Sequence, residues 1–180
     1  MIKGLYMLRQ TGPTRAKARV RLVGAGAILR EVEAAADLLA QDWGIAADVF
    51  SATSFSELAR EARTIERDNR LNPGRPRQVS HVERLLAGDA PVIAATDYVR
   101  AVPDLIAPFV RAGLSVLGTD GFGRSDTRTA LRRFFEVDRH HVALAALDRL
   151  ARDGAIGADV VAAAIAKYGI DAGAPASWTV

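Results

Sequence analysis

The segment from Leu114 to Asp138 holds the densest set of side chains that could bind a ligand or a partner. After a short apolar run, eight residues combine two glycines with charged and hydroxyl groups: Thr119, Asp120, Gly121, Phe122, Gly123, Arg124, Ser125 and Asp126. Arg128, Arg132 and Arg133 follow on a predicted helix. Glycine permits backbone shapes closed to other residues, and loops at the carboxyl ends of parallel strands commonly meet ligands and partners. We predict an anion-facing or docking loop near an interface or a site, and we assign no catalytic, cofactor-binding or metal-binding residue.

Gly24-Ala25-Gly26 lies between an apolar run and a helical pattern, where a dinucleotide-binding fingerprint would stand. The fingerprint is incomplete, because Leu29 occupies the position of its third glycine. The next predicted strand also ends at Ser51–Thr53 instead of at an acidic residue. We predict a structural glycine turn rather than a cradle for a cofactor.

The three histidines do not show the spacing of a metal site. His140 and His141 are adjacent on a predicted helix, so their side chains diverge, and no carboxylate or further histidine stands at a ligand-like spacing. His81 precedes a short predicted helix, where we expect a cap or a surface group.

Ser125 is the hydroxyl that nucleophilic catalysis would require at this loop. Its surroundings lack the second glycine of a nucleophile elbow, and no base can be assigned to it. Ser125 or Asp126 is therefore predicted to be the N-cap of the helix that starts near Thr127. Three residues remain as candidates for contact with something outside the domain: Thr119, Asp120 and Arg124.

The bulk composition fits one ordinary globular domain of 180 residues, with 49% hydrophobic and 25% charged residues and a formal charge of +3. The absence of cysteine excludes disulfides, cysteine-ligated metals and a cysteine nucleophile. The arginines at 60, 63, 67 and 70 alternate with acidic residues, which predicts a salt-bridged or interface face and no nucleic-acid partner. No apolar run suits a membrane span and no signal peptide is recognisable, so we expect a cytoplasmic protein without a membrane partner.

Apolar strands alternate with helical patterns along most of the chain. Strands are predicted at Ile2–Leu8, Val20–Val23, Ile45–Ser51, Pro91–Thr96 and Leu114–Gly118. Helices are predicted over 28–43, from a capping box at Ser54 and Glu57 to Asn69, over 82–87, 101–111 and from 127, and over 142–154 and 159–168.

This alternation with short loops predicts an α/β fold of three layers, α/β/α. Its sheet would be a mostly parallel, five-stranded mixed sheet with Ile2–Leu8 as one antiparallel edge strand. Residues 1–180 would form a single domain, in which residues 1–17 are the edge strand and a linker and residues 171–180 are a loosely held tail.

Several motifs occur in the order in which one enzyme family carries them. They are Lys3-Gly4-Leu5-Tyr6, Gly24-Ala25-Gly26, Asp48-Val49-Phe50-Ser51, Ala95-Thr96-Asp97-Tyr98, the run Thr119–Asp126 with Phe135-Glu136-Val137-Asp138, and Ala164-Ile165-Ala166-Lys167-Tyr168. Together they resemble the transketolase-like C-terminal domain of the homodimeric pyruvate dehydrogenase E1 component. The match covers nearly all of the 180 residues.

The resemblance implies an enzyme that decarboxylates pyruvate and acetylates the lipoyl group of an E2 acyltransferase. It implies that thiamine diphosphate and Mg²⁺ are bound by N-terminal and middle domains absent from this chain, and that a second E1 subunit completes a homodimer. This domain would then contribute interface and architecture, and the chain alone would be inactive. Two alternatives stay open: a free-standing regulatory module that binds a small anion, and the same domain of an E1 that acts on another 2-oxo acid.

Overall fold

The computed structural model describes residues 3–180 as a five-stranded sheet with helices on both faces. The strands are β1 (Leu5–Thr11), β2 (Arg19–Ala25), β3 (Ala46–Ala52), β4 (Val92–Ala95) and β5 (Leu114–Leu117). The helices are α1 (Leu29–Trp43), α2 (Phe55–Leu71), α3 (His81–Leu85), α4 (Ala101–Asp104), α5 (Arg128–Phe134), α6 (Arg139–Arg152) and α7 (Ala158–Lys167). Short 3₁₀ turns span Gly26–Ile28, Ala107–Phe109 and Ser177–Thr179.

The strand order in the sheet is β1-β3-β2-β4-β5. β1 pairs with β3 in the antiparallel direction, and every other pair is parallel. The prediction of a mostly parallel mixed sheet with an antiparallel edge strand is therefore confirmed. Parallel neighbours need long crossovers, and the helices between the strands supply them.

The central strands separate two apolar layers, because successive side chains of a strand point to opposite faces. One layer lies under α1, α6 and α7 and contains Leu22, Val49 and Ile93. The other lies under α2, α3 and α4 and contains Val23 and Phe50. Strands buried on both faces are rich in apolar residues, which is why the sequence indicated them clearly.

Two predicted elements differ in extent from the observed ones. β1 begins at Leu5 and continues to Thr11, while Ile2 lies outside the described residues. The helix predicted over 101–111 is one α-helical turn followed by a 3₁₀ turn. Pro108 has no N–H to donate to the carbonyl four residues earlier, so a continuous α-helix cannot pass through it.

The capping box predicted at Ser54 is half formed. Ser54 Oγ accepts a hydrogen bond from the Glu57 N–H at 3.2 Å, but the Glu57 carboxylate forms an ion pair with Arg60. The Ser54 N–H already donates a hydrogen bond to the Gly4 carbonyl, and this bond replaces the one that the Glu57 carboxylate would accept in a complete capping box. A complete box stands at Ser80, whose side chain and N–H both bond with Glu83.

Within residues 3–180, no helix is long and apolar enough to cross a membrane.

Gly24 lets β2 and α1 approach each other closely, since an ideal Cβ at this position would lie 2.8 Å from Leu29 Cα. We expect Gly24→Ala to lower the free energy of unfolding by about 1–3 kcal/mol through overpacking. Urea unfolding followed by circular dichroism measures it. Gly123→Ala is the matched control, because nothing lies within 4 Å of its ideal Cβ and its expected change is at most about 0.5 kcal/mol. Equal stability of the two variants would contradict the packing argument.

Candidate functional site

The candidate site is a groove of about 600 Å³ at the carboxyl edge of the sheet. β2 leads through α1 to β3, its neighbour on one side, whereas β4 leads through α4 to β5 on the opposite side. Such a reversal opens a crevice between adjacent strand ends, where open α/β sheets bind ligands. The groove lies there: Ala27 and Ile28 follow β2, Asp97 follows β4, and the loop 119–126 follows β5.

The groove combines apolar and charged side chains. Its apolar lining consists of Ala27, Ile28, Phe122, Leu131, Phe135 and Val137. Its charged lining consists of Asp97, Arg124, Asp126, Arg128 and Arg132. The rim therefore carries both signs of charge, and Arg132 is also paired with a carboxylate behind the groove. The arrangement suits a partner segment that offers apolar side chains and charged groups.

A buried carboxylate fixes the wall of the groove. Glu31, in the first turn of α1, is only 5% exposed, and its Oε1 accepts a hydrogen bond from Arg132 Nη1 at 2.8 Å. Its Oε2 accepts from the backbone N–H of Arg139 at 3.1 Å and from Arg139 Nε at 2.9 Å. Arg132 Nη2 also donates to the Ala27 carbonyl at 3.3 Å. α1, α5 and α6 are therefore tied together beside the groove.

The charge state of Glu31 follows from these bonds. Burial alone would raise the pKa of its carboxyl group, but hydrogen bonds from Arg139 and the charges of Arg139 and Arg132 outweigh burial and hold that pKa below its usual value. Glu31 is therefore ionised at neutral pH, with its charge compensated by two guanidinium groups.

A second carboxylate holds the loop 119–126. Asp120 Oδ1 accepts a hydrogen bond from the backbone N–H of Arg100 at 2.9 Å, and its Oδ2 accepts from Arg100 Nε. Burial raises the pKa of the Asp120 carboxyl, but the two hydrogen bonds from Arg100 and the charge of Arg100 have a larger opposite effect. The pKa of Asp120 therefore lies below its usual value. The chain after β4 and the chain after β5 are therefore joined by one ion pair.

The C-terminal tail packs against the same ion pair. The Trp178 ring lies over the Arg100 guanidinium, 4.2 Å from ring centroid to Cζ, and Ser177 Oγ donates to the Asp120 carbonyl at 3.0 Å. Gly121 has φ +106°, and a Cβ there would lie 2.5 Å from the Ser177 carbonyl oxygen. Residues 171–180 were predicted to be loosely held. Most of them are exposed, but Ser177 is only 4% exposed, which corrects that prediction at this point.

The eight residues of the predicted loop are divided between the groove and its support. The residues lining the groove are Thr119, Gly121, Phe122, Gly123, Arg124 and Asp126. Asp120 lies behind them with Arg100, and Ser125 lines an adjoining depression of about 300 Å³. Phe122 is 84% exposed, so the loop presents a bare aromatic ring beside the groove.

The N-cap of α5 lies one residue beyond the predicted candidates. Thr127 Oγ1 accepts a hydrogen bond from the Ala130 N–H at 3.3 Å, which makes Thr127 the cap. The Asp126 carboxylate accepts from the Thr127 N–H at 2.6 Å instead, so it is engaged before the helix begins. The choice of Ser125 or Asp126 as the cap was wrong.

The histidines have structural partners. His141 Nδ1 lies 2.8 Å from Asp138 Oδ1, and the His140 ring lies 5.0 Å from the Tyr168 ring, centroid to centroid. His81 was expected to be a cap or a surface group, but its Nε2 lies 2.8 Å from the Leu5 carbonyl oxygen and holds β1 against α3. Among residues 3–180, no three His, Asp or Glu side chains are arranged to hold a metal ion.

Sequence reasoning missed Asp97 and the tail as parts of the site, and it did not find the partner of Arg132. Asp97 directly follows β4, so its position at a strand end was a usable signal. The partners of Arg132 and Ser177 lie 101 and 57 positions away along the chain, and no local pattern indicates such pairs. The glycine turn at 24–26 is structural, as predicted, because Gly24 packs on α1 and Gly26 has φ +55° at the rim.

Comparisons with known proteins give consistent matches. The family model described as the transketolase-like TK C-terminal domain matches residues 4–138. The pyruvate dehydrogenase E1 component of Cupriavidus necator is 53% identical over 97% of this chain, and that of Pseudomonas aeruginosa is 54% identical over 95% of it. The chain spans only 20% of the length of each of these relatives. A transketolase from Campylobacter jejuni shares the fold, with a TM-score of 0.50 and 17% identity over 81% of this chain and 18% of that one.

We expect Glu31→Gln to destabilise the chain by about 3 kcal/mol at pH 7, because Arg132 and Arg139 then lose the buried charge that compensates them. The pKa of Glu31 is lowered in the folded state, so its ionisation contributes to the free energy of unfolding. That contribution is complete above the unfolded-state pKa of about 4.3, and it is lost as the pH falls through the folded-state pKa. The difference between wild type and variant should therefore shrink below about pH 4. Urea unfolding at several pH values measures it.

Glu33→Gln is the matched control on the same helix. Glu33 is partly exposed and its Arg9 partner is 3.6 Å away, so the expected cost is below about 1 kcal/mol. A similar cost for both variants, or a Glu31 contribution that does not shrink as the pH falls below about 4, would disprove the assigned role of Glu31.

We expect Trp178→Ala to loosen the loop 119–126 without unfolding the domain, because the ring over Arg100 is removed while the core is untouched. Loss of a cation–π contact at a half-exposed site should make amide hydrogen exchange in the loop about two- to fivefold faster. Exchange followed by mass spectrometry measures it. Trp178→Phe should retain most of the protection, and Val180→Ala should retain all of it. Unchanged exchange in the loop, or faster exchange throughout the domain, would show that the tail does not hold the loop.

Proposed function

The chain belongs to the family of transketolase-like C-terminal domains, and we propose that it is the C-terminal domain of a pyruvate dehydrogenase E1 component. The observation that carries the proposal is identity of 53–54% over 95% or more of the chain with proteins of that name. Because the chain spans a fifth of those relatives, the complete enzyme would be about five times its 19.2 kDa.

The complete enzyme would oxidatively decarboxylate pyruvate in the cytoplasm and pass the acetyl group to the lipoyl group of an E2 acyltransferase. When bound, thiamine diphosphate with Mg²⁺ would stabilise the carbanion left by loss of CO₂. The groove does not fit that cofactor with its Mg²⁺, because residues 3–180 offer no set of carboxylates or histidines arranged around a metal. The N-terminal and middle domains of the longer enzyme would hold the cofactor.

The role that we assign to this domain is to dock the loop 119–126 and the groove against a neighbouring domain or against the second subunit of a homodimer. Three properties support this assignment. Phe122 is almost fully exposed beside an apolar lining, which is costly unless another surface covers it. The groove lies at the strand ends, where this fold class meets its partners. Asp120 and Glu31 hold the surrounding elements in one geometry, which reduces the entropy lost on docking.

The three arginines of the groove favour a second candidate function, the binding of a small anion. The two candidates differ in what stabilises the isolated chain. An anion that binds only the folded state raises the melting temperature, and the rise grows with the logarithm of its concentration above the Kd. We expect no rise with phosphate or with small carboxylates at millimolar concentration, and a rise that follows this dependence would favour the second candidate.

The native product of the gene tests the proposed function directly. An antibody against this chain should detect a protein about five times its mass, and the purified protein should consume pyruvate in the presence of thiamine diphosphate and Mg²⁺. The 180-residue chain should show no turnover and no heat of binding when titrated with thiamine diphosphate. A native product of the chain's own mass, or micromolar binding by the chain, would refute the proposal.

We expect the double variant Arg124→Ala, Asp126→Ala in the longer enzyme to weaken dimerisation or to lower turnover, because both side chains line the groove proposed as a docking site. Loss of two interface charges typically costs between a few-fold and a hundredfold in affinity. Analytical ultracentrifugation and pyruvate turnover measure the two effects. Arg75→Ala with Asp89→Ala is the matched control, since both residues are exposed in loops away from the groove. Wild-type dimerisation and turnover in the groove variant would remove the docking role.

A further inference from the structure

The outer face of α2 carries a stripe of four arginines. Arg60, Arg63, Arg67 and Arg70 are all exposed and are spaced three, four and three residues apart. At 3.6 residues per turn this spacing places them on one side of the helix, and the separation of ten positions from the first to the last spans about 15 Å. The sequence alternates these arginines with acidic residues, but the helix places most of the acidic residues on other sides. We call this surface the arginine stripe.

Two acidic residues of α2 are engaged on another side of the helix. Glu61 accepts a hydrogen bond from the His81 N–H at 2.9 Å, and Asp68 accepts from the side chains of Asn72 and Gln78 at 2.9 and 3.0 Å. These bonds fasten α2 to the loop and to α3, so neither residue can neutralise the stripe without breaking them. Glu66 is exposed three residues after Arg63 and forms no ion pair within residues 3–180, so one carboxylate beside the stripe leaves its positive charge in excess.

Only the first arginine of the stripe has a partner. Arg60 forms an ion pair with Glu57. Arg63, Arg67 and Arg70 form no ion pair and no side-chain hydrogen bond with any residue between 3 and 180. Three guanidinium groups, each able to bind a carboxylate through two N–H groups, are thus held at fixed intervals and available to a partner.

The surface between the guanidinium groups is shallow and smooth. It forms a depression of about 400 Å³ whose other lining residues are Ser56, Ala59, Thr64 and Leu105. Small side chains let the backbone of a rod-shaped partner approach the helix closely. Spacing of three and four residues is also the spacing at which a second α-helix, laid alongside, presents its own side chains.

Polypeptide fits this surface better than nucleic acid does. Single-stranded nucleic acid is bound over aromatic side chains on which bases stack, whereas the lining here is small, aliphatic or basic. The charge also indicates the kind of contact. Permanent interfaces within one protein have an apolar centre depleted of charge, whereas transient partners meet through charged surfaces. A separable partner protein is therefore favoured over a missing domain of the same polypeptide.

We propose that the arginine stripe on α2 docks an acidic α-helix of a separate partner protein, with carboxylates at a spacing of three and four residues facing Arg63, Arg67 and Arg70. This inference does not rest on the proposed enzymatic function, because it uses only the surface of α2. The contact would be weak and sensitive to salt, since each exposed pair contributes little and the Debye length is about 8 Å at physiological ionic strength.

The test is a titration of the 180-residue chain with a labelled, capped Ala/Glu peptide whose glutamates lie on one helical face at that spacing. Fluorescence anisotropy at low salt should show saturable binding. Loss of three exposed pairs in Arg63→Gln, Arg67→Gln, Arg70→Gln should weaken it about tenfold. The control Arg15→Gln, Arg30→Gln, Arg75→Gln removes the same charge from exposed arginines elsewhere, and its affinity should stay within about twofold of wild type.

Two further ligands distinguish binding through matched spacing of charges from non-specific electrostatic attraction. A peptide of the same composition with its glutamates spread around the helix should bind at least about fivefold more weakly, because fewer pairs can form at once. An oligothymidylate of about 15 nucleotides should bind more weakly than the matched peptide, because it finds no stacking surface. Equal binding of the two peptides, equal loss in both triple variants, tighter binding of the oligonucleotide, or no binding of the matched peptide would each overturn the proposal.

Discussion

The buried carboxylate of Glu31 is the constraint on which the arrangement of the site depends. It lies in the first turn of α1, and its two oxygens are shared between a side chain of α5 and the start of α6. Breaking such a buried pair leaves guanidinium groups uncompensated, so α5 has one favourable position over the sheet. The wall of the groove, the start of the C-terminal helices and the turn after β2 are consequently fixed together.

The ion pair between Asp120 and Arg100 holds the loop after β5 in place, as Glu31 holds α5. It joins the chain segments that leave two adjacent strands, and the tail covers it from outside. The groove is therefore bounded by two carboxylates that do not face into it. The charged groups that line it are the arginines and aspartates of the rim. Arg132 belongs to the support as well, whereas Asp97 and Arg128 form no ion pair within residues 3–180.

The fold was largely predictable because its signals are local. Short, mostly apolar runs identified β2, β3 and β4, and Gly44 ended α1 with φ +65°, as a left-handed C-cap does. The loop 119–126 was also found locally, from its glycines and charges. Its supports were not, because Glu31 and Arg132 are separated by 101 positions and become neighbours only through the packing of α1 against α6 and α5. The predicted N-cap of α5 was wrong because neighbouring side chains compete for the same backbone groups. The Asp126 carboxylate accepts from the Thr127 N–H, which lies before the helix, and Thr127 caps the helix instead.

The arginines of α2 show a second way in which the order of residues in the sequence is insufficient to predict a surface. Alternation of charge in sequence indicated a salt-bridged or interface face. The helical period gathers the arginines on one side, and it places Glu61 and Asp68 on another, where they hold the loop before α3. Placing the charges on the period of the helix therefore favours the second of these two alternatives.

The irregularity in β1 bears on how the protein behaves at high concentration. The register of β1 against β3 shifts between Met7 and Arg9, so the outermost strand bulges beside two exposed apolar side chains, Met7 and Leu8. A bulged edge twists away from the straight geometry that an incoming strand would need. The displaced residue thus discourages the sheets of separate molecules from pairing edge to edge, beside two apolar side chains that would otherwise favour such pairing.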